Sequence, residues 1–228
     1  MQEELLIVED LTLLMFGDDS GVIAGEATLY YVLGGAVLSE LAQLGRVKAD
    51  EKDVGANGMQ VHAVPGAPLD DPLLRDAHSK IEERARRVQT LLIEIGTGLR
   101  GTVLDRLVER GMVLRERKKR LGLFTTTSLS IGDAGHKKAL LEKVRAVLVD
   151  NAEPDARTAA LIGLLSASGT LPSLHPAVPW SGDVYKRGKE LERGSWGAEA
   201  VNAAVARTLA AVTTGVVIGA TVGLNPNN

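Results

Sequence analysis

A chain of 228 residues with 45% apolar but only 3% aromatic side chains is long enough to bury a core, and that core must be aliphatic. The absence of cysteine excludes disulfides, thiolate metal sites and cysteine nucleophiles, and fits a reducing cytoplasm. A net charge of −3 speaks against a protein that coats nucleic acid, while abundant Ala, Leu, Val and Arg favour a mainly α fold.

The N-terminal stretch MQEELLIVEDLTLL carries acids where a signal peptide needs bases, which reads against secretion. The first 45 residues contain no Lys or Arg against eight acids, Glu3, Glu4, Glu9, Asp10, Asp18, Asp19, Glu26 and Glu40. Leu5 to Phe16 is expected as a short helix, followed by the turn sequence GDDSG at Gly17 to Gly21. From Thr28 to Leu44, apolar residues at Leu29, Val32, Leu33, Ala36, Val37, Leu41 and Leu44 keep to one face of a helix, and Gly45 supplies its C-terminal stop. RVKADEKDVGANGMQVHAV then reads as a hairpin turning at ANG, with Met59, Val61 and Ala63 alternating with polar residues.

Pro65 to Pro72 is a loop whose Asp71-Pro72 end suits a helix N-terminus, and Leu73 to Ile95 is expected as one long helix. A helix from about Leu99 to Arg110 stops at Gly111, and Met112 to Ser130 forms a second hairpin with RERKKR in its first strand and turn. Helices are expected at His136 to Val149 and Arg157 to Ser166. The proline-rich LPSLHPAVPW then leads through Tyr185 to Arg193 into a last helix from Ala198. Its apolar part, Thr208 to Leu224, contains three glycines and falls short of the roughly 20 residues that a spanning helix needs, so it reads as a buried helix.

Residues 33–47 laid on 99–113 match at Leu33/Leu99, Gly35/Gly101, Val37/Val103, Leu38/Leu104, Leu41/Leu107, Gly45/Gly111 and Val47/Val113. Each segment precedes a hairpin, so a helix–hairpin repeat at about 28–64 and 97–130 is expected. The whole, 1–228, reads as a single domain: a compact helical bundle with helix–hairpin repeat units and a protruding β-hairpin.

No catalytic or metal site is expected. His62, His78, His136 and His175 lie far apart without a metal-binding spacing. Asp18, Asp19, Asp70 and Asp71 sit in turn and capping sequences, the glycines at 17, 21 and 25 form no phosphate loop, and no serine sits in a nucleophile elbow. No cofactor is implied. Charge is what stands out, because residues 99–124 hold eight bases against three acids. Arg100 falls at a helix start, where a guanidinium and free backbone N–H groups both suit an anion; a solvated helix-start arginine is the plain alternative. Arg115, Arg117, Lys118, Lys119 and Arg120, with Leu121 and Phe124, make the hairpin an interaction surface. A helix followed by a basic hairpin also has the outline of a winged helix. The candidate recognition helices at 33–44 and 99–110 are mostly apolar, however, and the first has no base at all.

The ordered series LTLLMFGDDSG, LGGAVLSELAQLGRV, LRGTVLDRLVERGMV, a hairpin ending in LFTTT, and the helix KKALLEKVRAVLV resembles the Golgi phosphoprotein 3 family, from about Glu3 to the C-terminal helix. The composition looks like that of a bacterial member. The resemblance implies a mostly helical fold whose protruding hairpin takes part in self-association. It also implies a non-enzymatic role, since the eukaryotic relatives are peripheral membrane adaptors that recognise phosphatidylinositol 4-phosphate and retain membrane glycosyltransferases. Their head-group pocket uses a tryptophan and an arginine from the first repeat, and two bases three apart at the start of the second. Transferred to this sequence, one of the paired bases is Arg100, its partner falls on Thr97, the first-repeat arginine on Gly34, and the tryptophan near Ala24 or Gly25. Losing several charge-assisted contacts, about 1.5 to 3 kcal/mol each, redirects the expectation to a generic anionic lipid or an altered ligand.

The expected partners are thus an anionic lipid or phosphoinositide, a second copy through the hairpin, and a membrane-protein cargo. The expected location is cytoplasmic and peripheral on the inner membrane face. A soluble self-associating scaffold that binds no lipid is the alternative, and a winged-helix nucleic-acid binder the third.

Overall fold

The computed structural model describes residues 4–18, 20–120, 124–195 and 197–198. The first helix, α1 (Ile7–Met15), is buried along its whole length, including Glu9 and Asp10. It is followed by a short loop closed by a bridge between Phe16 and Ile23 and by the Gly17 N–H on the Val22 carbonyl at 2.8 Å. A 3-10 turn at Glu26–Thr28 delivers the chain into α2 (Leu29–Gln43), the central helix, whose Val32, Leu33, Ala36, Val37 and Leu41 are fully buried or nearly so. It packs on α1 and on several later helices.

At its exit Gly45 turns left-handed at φ 67°, the conformation glycine adopts most cheaply. The Arg46 N–H then returns to the Leu41 carbonyl at 2.8 Å. The antiparallel pair β1 (Val47–Gly55) and β2 (Gly58–Ala63) follows, with Val47 opposite Ala63 and a register shift between Asp50 and Val54. Asp71 caps α3 (Pro72–Glu83), accepting the Leu73 N–H at 2.8 Å, as its place before a proline predicts.

The single helix expected over Leu73 to Ile95 is broken. Arg84 is extended, and Arg86–Arg87 form a short strand, β3, that pairs with Val61 and Gln60 of β2. The chain turns helical again as α4 (Val88–Gly96). Long-range partners cause the break. Arg87 donates to the Asp53 carbonyl at 2.7 Å and to its carboxylate at 2.9 Å, and Arg86 pairs with Glu94 at 3.1 Å. The regained pairing satisfies backbone groups that the interrupted helix releases.

Helix α5 (Leu99–Glu109) leaves by the same geometry as α2. Gly111 has φ 72°, and the Met112 N–H reaches the Leu107 carbonyl at 2.8 Å. Strands β4 (Val113–Arg120) and β5 (Phe124–Ile131) pair antiparallel from Val113/Ile131 to Arg120/Phe124. The remaining helices are α6 (Ala134–Leu148), α7 (Ala156–Ala167) and α8 (Gly182–Arg193), capped by Asp133, Asp155 and Ser181 respectively. The stretch Tyr185 to Arg193, expected as a lead-in, is therefore the body of α8. The expected apolar helix at Thr208 to Leu224 lies outside the described residues. The fold is mainly α with two small antiparallel sheets among the described residues.

Candidate functional site: an arginine-lined cleft

Arg100 lies in the first turn of α5, after Gly98 has turned left-handed, and its side chain is 46% exposed. Arg115 comes from the root of β4. The two line one open cleft of about 590 Å³ together with Ser20, Gly21 and Val22 of the α1–α2 loop, Leu104 of α5, and Thr127, Ser128 and Leu129 of β5. The loop wall fits tightly: a Cβ on Gly21 would collide with the Leu129 carbonyl, and Gly21 has φ 65°. Two guanidiniums and several hydroxyls around one opening form a surface for an anion.

Both arginines already hold carboxylates. Arg100 Nε lies 2.5 Å from Glu26 Oε1, and Arg115 Nη2 lies 2.6 Å from Asp105 Oδ1. Glu26 and Asp105 are 49% and 60% exposed, so these pairs are screened by water.

A buried lysine fixes the loop wall. Lys137 of α6 donates to the Phe16 carbonyl and to Asp18 Oδ1, the latter at 2.5 Å, and its Nζ sits 6.0 Å from the Phe16 ring centroid. Asp18 is thus an ion-pair partner as well as a turn residue; Asp19 lies outside the described residues.

The positions onto which the family pocket maps supply no further cation. Gly34 is buried against the Leu92 carbonyl of α4, where a side chain would collide. Thr97 spends its hydroxyl on the Ile93 carbonyl at 2.7 Å, and Gly25 lies against Thr170 with φ 71°. Of the hairpin residues singled out in the sequence, Arg115 enters the cleft. Arg117, Lys118, Lys119 and Arg120 lie on β4, and Phe124 opens β5. The side chains of these five, and the whole of Leu121, lie outside the described residues.

Sequence reasoning missed an ion network around α1. Glu9 accepts Arg106 at 3.0 Å and the Leu6 N–H at 2.7 Å, and lies 3.5 Å from Arg110; Arg106 also holds Asp71 at 2.7 Å. Asp10 accepts Arg157 at 2.8 Å and lies 2.8 Å from His136 Nε2. Glu40 Oε2 accepts the Ile7 N–H at 2.5 Å, and its other oxygen faces Arg157 at 3.7 Å. Burial pushes the Glu40 carboxyl above the usual carboxylate range, against the opposing pull of the Ile7 N–H and Arg157. This network joins α1 to α2, α3, α5, α6 and α7, and its signal was two adjacent acids inside an otherwise apolar helix. Among the described residues, no three His, Asp or Glu side chains are placed to share a metal ion, and no helix is long and apolar enough to cross a membrane.

A mainly α frame brings two arginines and several hydroxyls to one open cleft. The model of the Golgi phosphoprotein 3 (GPP34) family matches residues 7–208, and the chain belongs to that family. No curated protein matches it.

Proposed function

We propose that the chain is a non-enzymatic peripheral adaptor whose contact with anionic lipid head groups is the Arg100–Arg115 cleft. One observation carries this reading: arginines from separate elements, α5 and β4, line one cleft with the hydroxyls of Ser20, Thr127 and Ser128. The lining offers two guanidiniums and a few hydroxyls, so the cleft discriminates by charge more than by head-group shape, and no preference for phosphatidylinositol 4-phosphate over other anionic lipids of equal charge is expected. Membership of a family of non-enzymatic adaptors supports the same reading.

Co-sedimentation with vesicles tests it. The protein is expected to pellet with phosphatidylcholine vesicles containing phosphatidylserine and to stay in solution with phosphatidylcholine alone, and Arg100→Ala or Arg115→Ala should each weaken the interaction. Equal recovery with both vesicle types, or none with either, would refute the electrostatic reading.

A second reading is favoured by the sheet order. Strands β4 and β5 form a sheet of two, and a ribbon with open edges suits pairing with another copy. In this reading the hairpin is the protruding self-association element of a single-domain protein, and 28–64 and 97–130 are repeat units. Light scattering on a variant lacking Arg115 to Arg120 decides it, since an unchanged mass excludes the hairpin as the contact.

A further inference from the structure

We propose that Glu26 and Asp105 are resident counter-ions of the cleft, which an anionic surface must displace, and that they set how densely charged that surface has to be. This rests on the anion-binding reading above and concerns its selectivity. The charges balance at the cleft's two arginines, each guanidinium against one carboxylate. Each carboxylate is held where it is by its own element. Glu26 opens the 3-10 turn that follows left-handed Gly25, whose carbonyl accepts the Thr28 N–H at 3.0 Å. Asp105 projects from α5, the helix that also carries Arg100.

Exposed pairs of this kind are weak. A membrane presenting many negative charges within a Debye length therefore exchanges with them readily, whereas a sparse scatter of anionic lipids does not. The counter-ions consequently set the mole fraction of anionic lipid at which recruitment is half complete. Removing one carboxylate lowers that fraction by freeing its arginine beforehand.

The experiment titrates phosphatidylserine into phosphatidylcholine vesicles and compares the parent with Glu26→Gln, Glu153→Gln, Arg100→Ala and the Glu26→Gln/Arg100→Ala double variant. Glu153 is exposed between α6 and α7, away from the cleft lining, and its substitution changes net charge by the same amount. Glu26→Gln is expected to bind about two- to five-fold more tightly, the equivalent of one exposed ion pair, and to reach half-binding at a lower phosphatidylserine fraction. Glu153→Gln should change less, and the gain from Glu26→Gln should vanish once Arg100 is alanine. A gain that survives in the double variant, or that Glu153→Gln reproduces, would overturn the proposal and leave overall charge as the cause. Binding that depends on Arg100 but ignores Glu26→Gln overturns this inference alone. Absence of binding by every variant overturns the anion-binding reading with it.

Discussion

Glu9 and Asp10 are consecutive carboxylates inside the protein, and each is answered by bases from distant positions. Because a buried carboxylate is costly without partners, removing one side of such a contact costs more than the contact contributes. Glu9→Ala, which withdraws an acceptor from Arg106, from Arg110 and from the Leu6 N–H, is expected to cost about 2 to 4 kcal/mol in urea unfolding, the upper part of the usual range being discounted because the arginines are partly solvated. Glu40 behaves differently. Its folded carboxyl titrates above its ordinary value of 4.5, so its stabilising contribution is complete below that value and is lost as pH rises through the folded one. Glu40→Gln keeps an acceptor for the Ile7 N–H without the charge. Unfolding free energies measured from about pH 4 to about pH 7 should shift progressively in favour of the variant as pH rises. Asp155 runs the opposite way, because the Thr158 N–H at the start of α7 holds its carboxyl below the ordinary 3.8. Its contribution is present above that value and lost as pH falls through the folded one, so Asp155→Asn should narrow the stability difference between neutral and acidic pH.

Lys137 ties α6 to Phe16 and Asp18, at the start of the loop whose Ser20, Gly21 and Val22 line the cleft. Lys137→Met keeps the aliphatic stem but orphans the Phe16 carbonyl, at a cost of about 1 to 3 kcal/mol. Amide exchange is expected to quicken across 17–23, and vesicle binding to weaken although no residue lining the cleft has changed. Exchange that stays slow there would deny Lys137 this positioning role. The elements that could be read from the sequence are those with local signals. The helix ahead of Gly45, the turn at ANG, the Asp71-Pro72 cap and the helix ahead of Gly111 all carry their instructions within a few residues. The break at Arg84 to Arg87 was not legible, because KIEERARR is an acceptable exposed helix face and the forces that interrupt it come from Asp53 and β2. Arg100 was legible as an exposed base at a helix start. Its union with Arg115 in one cleft depends on how β4 and the α1–α2 loop pack, and Glu26 as its counter-ion lies 74 positions earlier in the chain, 100 minus 26.

At the scale of the molecule, the recruitment proposed for the Arg100–Arg115 cleft is an ionic-strength effect. Vesicle binding should fall steadily between low and physiological salt, as screened charges require, and sedimentation unchanged by salt would point to an apolar contact instead. The ion network has a different consequence, for the order of assembly. Helix α1 leaves the ribosome ahead of the other helices described, yet Asp10 finds His136 and Arg157 only 126 and 147 residues later, and Glu9 waits 97 residues for Arg106. Glu9 has to stay in water until α5 has been synthesised, and Asp10 lacks Arg157 until α7 has, since burying either acid alone would be prohibitively costly. Helix α1 is therefore among the last of the described helices to settle, and a nascent chain stalled before α7 would display to the cell's chaperones an apolar helix whose Asp10 still lacks Arg157.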